Sequence, residues 1–156
     1  MTDAVGPVSV DVVVAEVIRR PIDVVAGYAS DPSNAPDWYA KISEVEWKTP
    51  PPLRVGSQVA FVARFLGREL RYTYQIVEYT PESLVMRTAE GPFPMETRYR
   101  YEPTPDGFTR MTLRNHGNPS GFSRLAAPFI RTAMRRATSK DLTVLKRLLE
   151  RDQSHG

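Results

Sequence analysis

The residue pattern of this chain changes period once, and that change limits the folds open to it. Over residues 95–103 and 108–116, apolar or small residues alternate with charged ones, as in a strand with one face in water. From residue 122 to 151 the apolar residues recur instead at helical spacing. Several strands followed by one long helix predict an α+β domain in which a curved antiparallel sheet wraps round that helix.

Further segments complete the predicted sheet. Residues 8–19 are dense in valine, whose β-branched side chain favours strands. Both faces of this strand are largely apolar, so we expect it to be covered on both sides, and the pattern leaves open which face points inward. Residues 42–49, 57–66, 69–79 and 83–89 are also predicted strands, with the middle two forming a hairpin.

Two proline-containing segments follow the first strand. Pro21 ends that strand, and residues 21–29 are predicted as a short helix with the proline in its first turn. Residues 30–39, SDPSNAPDWY, contain two prolines and two aspartates. This composition excludes both a long helix and a strand.

The long helix has a broad apolar stripe and a small-residue content that bears on cavity formation. Pro128 requires that the helix either begins near it or kinks there. Small residues on a buried face leave room for a cavity, although close helix–sheet packing also uses alanine. The stripe consists of Ala126, Phe129, Ile130, Ala133, Met134, Ala137, Val144, Leu145 and Leu148.

Size and composition favour one domain, which we place at residues 8–151 with loose ends at 1–7 and 152–156. The chain has 156 residues and no cysteine, which excludes disulfides and a thiol nucleophile. It contains no run of 18 apolar residues, so no membrane span is expected. We expect a soluble, cytoplasmic protein. Monomer and homodimer both remain open.

The positive charge is concentrated at the end of the chain. Residues 122–152 contain eight Lys or Arg and three acids, a net charge of +5 within a total of +3. Such a segment is either the solvated side of an amphipathic helix or a surface for nucleic acid or anionic lipid. Since no aromatic residues are interleaved with the arginines, we do not expect nucleic-acid binding.

Motifs for metal, phosphate or nucleophilic chemistry are missing from the sequence. The only histidines are His116 and His155, and no cluster has metal-ligand spacing. Neither a phosphate-binding glycine loop nor a nucleophile elbow occurs. Strand alternation places His116 on the outer face with Arg110 and Arg114. We expect no metal and no cofactor.

Four segments together resemble a known superfamily. They are IRRPIDVV (18–25), SDPSNAPDW (30–38), the hairpin that follows Gly56, and KDLTVLKRLLE (140–150). With them the chain resembles the START-related helix-grip (SRPBCC) superfamily, in its polyketide cyclase/dehydrase and lipid-transport branch. The resemblance implies a sheet of about seven strands round the C-terminal helix and two short helices after the first strand. These short helices would close one side of a cavity, with Trp38 either on the wall or filling the core beside it.

The resemblance implies binding or transport of a hydrophobic small molecule, such as a lipid or polyketide, between sheet and helix. The alternative is an aromatase/cyclase or dehydratase acting in the same cavity. No residue set demands catalysis, so the sequence leaves open whether the chain is an enzyme.

Candidate site residues combine apolar bulk with a few hydroxyls and one amide. As catalytic candidates we take Tyr99, whose phenol could steady an enolate, and Glu16, which shares a strand face with Val12 and Val14. Asp141 falls near the helix stripe, where an ion pair or a rim position is expected. The predicted ligand contacts are Trp38, Phe61, Tyr72, Tyr74, Met95, Tyr99, Asn115, Phe129 and Ala133.

Overall fold

Four ranges of the chain, residues 10–65, 67–91, 94–118 and 127–153, are described by the structure, a computed structural model. They form seven strands, two short helices, a 3-10 turn and one long helix, which confirms the expected α+β helix-grip class. Of the predicted loose ends 1–7 and 152–156, residues 1–7 and 154–156 lie outside the described residues, as does the stripe residue Ala126, whereas residues 152 and 153 belong to the last turn of the long helix. The strands are β1 (Val10–Ile18), β2 (Ile42–Trp47), β3 (Gln58–Phe65), β4 (Arg68–Thr80), β5 (Ser83–Glu90), β6 (Met95–Pro103) and β7 (Thr109–Gly117); the helices are α1 (Ile22–Ala29), α2 (Ala35–Trp38) and α3 (Ala127–Gln153), and the 3-10 turn is Pro32–Asn34.

The seven strands form one sheet in the order β1-β7-β6-β5-β4-β3-β2, with every neighbouring pair antiparallel. The register shifts once in the β2–β3 pairing and twice in the β4–β5 pairing. Such bulges bend a strand and increase its twist, so they fit a sheet that curves round α3. None of the helices in the described ranges is both long and apolar enough to cross a bilayer.

Strand β1 has only one buried face. Val10, Val12 and Ile18 are almost fully buried, whereas Val13 is 45% and Val17 is 36% exposed. The prediction that this strand is covered on both sides is therefore wrong. Valine favours an extended backbone whether or not it is covered, so composition alone did not distinguish the two faces.

The helix-breaking segment 30–39 forms two tight turns. The side chain of Asp31 accepts a hydrogen bond from the backbone N–H of Ser33 (3.0 Å) and caps the 3-10 turn that begins at Pro32. Helix α2 follows for a single turn and ends at Trp38, which is 2% exposed. The segment thus reverses the chain quickly and places an aromatic residue in the core.

Helix α3 runs from Ala127 to Gln153, so Pro128 lies in its first turn. The lead-in turn of the second alternative would fall on residues outside the described ranges. The prediction that Phe129 and Val144 share the buried stripe is wrong, because they are 76% and 36% exposed. Neighbouring residues point about 100° apart on a helix. A stripe drawn through every apolar residue is therefore wider than the face that is buried. The most buried positions are Ile130, Thr138, Asp141, Leu142, Leu145 and Leu149.

Candidate functional site

A cavity of about 160 Å³ lies between the sheet, α3 and the segment that contains α2. Its wall is mainly apolar, and side chains from β3, β4, β5, β6 and α3 contribute to it. Apolar wall residues include Phe61, Leu70, Leu84, Met86, Ile130 and Met134. Such a concave apolar site with a few polar groups is the usual form of a small-molecule pocket.

Six of the nine predicted ligand contacts line this cavity. They occupy alternate positions of strands β3, β4, β6 and β7, whose inward side chains converge because the strand period is two. These residues are Phe61, Tyr72, Tyr74, Met95, Tyr99 and Asn115.

The remaining predicted contacts lie elsewhere. Trp38 fills the core beside the cavity, with its ring centroid 5.8 Å from that of Tyr99. Phe129 points outward, and Ala133 is half-buried but outside the lining. The catalytic candidate Glu16 is half-buried on β1 opposite Met111 and also lies outside the lining.

A hydrogen-bonded chain of four polar side chains crosses the cavity wall. Tyr74 Oη lies 2.8 Å from Thr97 Oγ1, which donates to Asn115 Oδ1 (2.7 Å). Asn115 Nδ2 in turn donates to Thr138 Oγ1 on α3 (3.3 Å). The chain therefore links β4, β6, β7 and α3 across the cavity.

Thr97 decides which side chains donate and which accept in this hydrogen-bonded chain. A threonine hydroxyl has one proton, and that of Thr97 is donated to Asn115, so Tyr74 must donate to Thr97. The Tyr74 proton is then already used within the chain, while a lone pair of its oxygen and the second amide proton of Asn115 remain for a ligand. Thr138 accepts from Asn115 and keeps its own hydroxyl proton, so the chain presents the Tyr74 oxygen as an acceptor and two donors, the Asn115 amide and the Thr138 hydroxyl.

A second polar group is formed by the phenols of Tyr39 and Tyr99, which share a hydrogen bond. Two hydroxyls bring two protons and use one between them, so one proton is left for a further acceptor. Tyr72 also lines the cavity, and its hydroxyl has no hydrogen-bond partner among the described residues. These hydroxyls are suited to the carbonyl or hydroxyl oxygens of a ligand.

All of these phenols stay neutral at physiological pH. Burial raises the pKa of Tyr39 and of Tyr99 well above its ordinary value, and it raises the pKa of Tyr74 to about 12. Burial likewise raises the pKa of Tyr72. The tyrosines can therefore donate hydrogen bonds but cannot act as phenolate bases.

Asp141 is a buried carboxyl group beside the site. It is 4% exposed and lies one turn beyond the lining residues Ala137 and Thr138. Its Oδ1 accepts a hydrogen bond from the backbone N–H of Ala40 (3.1 Å), which ties the segment after α2 to α3. Burial raises the pKa of Asp141 to about 6, although the bond from Ala40 and the charge of Lys41 oppose the rise.

The prediction that Asp141 forms an ion pair or lies at the rim is wrong. Its side chain is buried, and it makes no ion pair within 4.0 Å among the described residues.

Sequence reasoning missed several polar wall residues. Thr97 alternates in phase with Met95 and Tyr99 on β6, so the alternation predicted that it faces the same side. Thr138 lies four residues after Met134, which is one helical turn. No pattern pointed to Tyr39, because the turns that precede it decide where its side chain lies.

The outer face of the sheet carries a different kind of polar group. His116 Nε2 lies 2.9 Å from Glu96 Oε1, which confirms that His116 faces outward. Burial alone would raise the pKa of Glu96, but hydrogen bonds from Arg87, His116 and Arg98 lower it to about 2. Across the described ranges, no three His, Asp or Glu side chains form a group that could hold a metal ion.

Comparisons with known proteins agree with this architecture. The family model described as "Polyketide cyclase / dehydrase and lipid transport" matches residues 9–150. The structure is similar to the protein TTHA0849 from Thermus thermophilus, with a TM-score of 0.78, 18% identity, and coverage of 91% of this chain and 98% of that one. No curated protein is significantly similar to the chain in sequence.

Two other solved structures share the fold. The Zhui aromatase/cyclase from Streptomyces sp. R1128 matches with a TM-score of 0.77 and 16% identity, over 92% of this chain and 94% of that one. A START superfamily protein from Mycobacterium smegmatis matches with a TM-score of 0.77 and 13% identity, over 90% and 97%. At these identities the likeness shows the fold alone.

Proposed function

Because the chain belongs to the polyketide cyclase/dehydrase and lipid transport family, we propose that it binds an apolar small molecule, such as a lipid or a polyketide, between the sheet and α3. The observation that carries this proposal is an apolar cavity whose buried tyrosine, threonine and asparagine side chains are neutral; two exposed cations, Lys41 and Arg64, also line it. Burying apolar ligand surface there would stabilise the complex by about 25 cal/mol per Å².

The polar groups indicate what the ligand carries. The hydroxyl of Tyr72, the spare proton of the Tyr39–Tyr99 pair and the second amide proton of Asn115 are donors without an acceptor among the described residues. An apolar molecule with one or more carbonyl oxygens would satisfy them. A hydrocarbon without oxygen would leave them unsatisfied, at a cost of about 1–3 kcal/mol for each buried donor.

Native mass spectrometry of the freshly purified protein tests the proposal, with an organic extract analysed in parallel. We expect an added mass that disappears on denaturation, or uptake of one molecule from a panel of fatty acids and polycyclic ketones. A control variant, Ala89→Leu on the exposed end of β5, should keep the added mass. A protein that carries no added mass and takes up no member of the panel would contradict the proposal.

A cyclase or dehydratase is the second candidate, and the Tyr39–Tyr99 pair favours it. A phenol that donates to a ligand carbonyl stabilises the negative charge that develops on this oxygen during enolisation and aldol closure. This electrostatic role needs the neutral phenol, which burial maintains. Tyr99 thus remains the catalytic candidate, whereas Glu16 lies away from the cavity wall.

The enzymatic alternative can be tested with a short linear triketone, whose aldol closure and loss of water give a dihydroxy aromatic ring. We expect Tyr99→Phe to reduce the rate of ring formation about 100-fold while the triketone still binds. Binding by the wild-type protein without acceleration over buffer would exclude the enzyme and leave the binding function intact.

A further inference from the structure

The outer face of α3 carries basic side chains that have no acidic partner. Arg136, Lys140 and Arg147 are exposed, and none of them makes an ion pair or a side-chain hydrogen bond within the described ranges. No acidic residue occurs between positions 127 and 140. Asp141 is buried on the opposite side, and Glu150 pairs with Lys146.

An exposed aromatic ring lies on the same line as these cations. Phe129 is 76% exposed, and the three basic residues follow it after 7, 11 and 18 positions. These spacings return to one side of a helix with 3.6 residues per turn. Phe129, Arg136, Lys140 and Arg147 therefore form a row about 27 Å long at 1.5 Å per residue, which we call the α3 ridge.

The outer face of the sheet differs from the α3 ridge in charge balance. There Arg87 and Arg98 both pair with Glu96, and Arg114 makes two hydrogen bonds to Asp11. The ridge is thus a region of uncompensated positive charge.

We propose that the α3 ridge docks on an anionic lipid bilayer. Clustered Lys and Arg side chains are attracted to anionic head groups, and an exposed ring at one end of such a row can enter the boundary between head groups and acyl chains. A nucleic-acid backbone would engage the cations but give the ring no apolar partner, so the bilayer fits the whole row. This inference does not depend on what occupies the cavity.

The position of the Phe129 ring agrees with docking through the α3 ridge. Ile130 follows Phe129 directly and Met134 follows one turn later, and both line the cavity. The first turns of α3 thus contact the cavity on one side and carry the proposed membrane contact on the other. None of the described helices can span the bilayer, so the contact is peripheral.

Cosedimentation with vesicles tests the docking surface. We expect the full chain to bind vesicles of phosphatidylcholine with one third phosphatidylglycerol, and to bind pure phosphatidylcholine weakly. Arg136→Gln/Lys140→Gln/Arg147→Gln should lower partitioning to the anionic vesicles about 100-fold, at roughly fivefold for each basic residue. Phe129→Ala should lower it about fivefold, and this smaller loss should persist in high salt.

A charge-matched control separates a specific surface from net charge. Arg54→Gln/Arg100→Gln/Arg110→Gln removes three exposed cations from other parts of the molecule and should partition as the wild type does. Equal losses in the two triple variants would overturn the ridge as the docking surface.

The absence of cysteine allows one dye to report the contact. A polarity-sensitive fluorophore on Thr132→Cys, which is exposed beside the ridge, should shift to the blue with anionic vesicles. The same fluorophore on Ala89→Cys of β5 should not. No vesicle binding, or binding to duplex DNA of equal phosphate concentration without vesicle binding, would overturn the proposal.

Discussion

The inner face of α3 has two halves of opposite character. In the first half, Ile130, Met134, Ala137 and Thr138 line the cavity. In the second half, the inner positions are leucines that pack into the main core. Leu142, Leu145 and Leu149 are at most 3% exposed and belong to one cluster with residues of α1, α2 and the sheet.

The difference between the halves shows how one helix can both leave and fill space. Close packing is the rule in protein interiors, so a cavity needs side chains too small to reach the opposite wall. Ala137 and Thr138 leave such space beside the larger Ile130 and Met134 in the first half, whereas leucines fill the second. Asp141 lies at the boundary, between Thr138 and Leu142.

The largest effect is expected in the filled half. Leu145→Ala removes a side chain that is 0% exposed and should lower the free energy of unfolding by about 3 kcal/mol. Val144→Ala, one residue earlier and 36% exposed, should change it by less than about 0.5 kcal/mol. Urea unfolding measures both, and similar losses would show that the two positions do not differ in packing.

An intermediate effect is expected at the boundary. The folded pKa of Asp141, about 6, lies above the unfolded value of 3.8, so its stabilising contribution is present below pH 3.8 and is lost as the pH rises through 6. Asp141→Asn keeps an oxygen that can accept from Ala40 and should be more stable than the wild type at neutral pH by about 1–2 kcal/mol. The gain should vanish in acid.

Glu150→Gln provides a control of opposite sign. Burial alone would raise the pKa of Glu150, but Lys146 and Arg19 lower it, so this variant should lose stability at neutral pH relative to acid. Thermal unfolding of both variants across the acid range would show the two trends. A gain for Asp141→Asn that did not change with pH would contradict the assignment to ionisation.

Among the substitutions on the inner face of α3, the smallest change in stability is expected in the cavity half. Ala137→Leu places extra atoms where the structure has space, so the free energy of unfolding should change by less than about 1 kcal/mol, whereas ligand uptake should fall. The same substitution at Ala133, outside the cavity lining, should leave uptake unchanged. A loss of about 1–3 kcal/mol for Ala137→Leu would be the sign of overpacking and would mean that no usable space exists there.

Prediction from the sequence succeeded where one period governed the side chains. Alternation along β3, β4, β6 and β7 correctly placed four residues on the inner face of the sheet, because successive side chains of a strand point to one face or the other. These residues are Phe61, Tyr74, Tyr99 and Asn115. The helical period failed for Phe129, because an apolar residue at the edge of the stripe can point either to the core or to the outside of the helix.

Residues in irregular segments were beyond prediction for a different reason. Trp38 and Tyr39 are adjacent, yet the first fills the core and the second faces the cavity. Local turn signals, such as the Asp31 cap, indicate that the chain bends there but not where it points afterwards.

The sequence by itself determined the order of elements, the inward faces of the central strands and the family of the fold, because these depend on residue periods and turn signals that act over a few positions. The tertiary structure alone decided that β1 has one buried face, that Phe129 lies outside, and that Asp141 meets the N–H of Ala40. Each of these depends on contacts between segments far apart in the chain, such as the 101 positions between Ala40 and Asp141. No local pattern encodes such a distance.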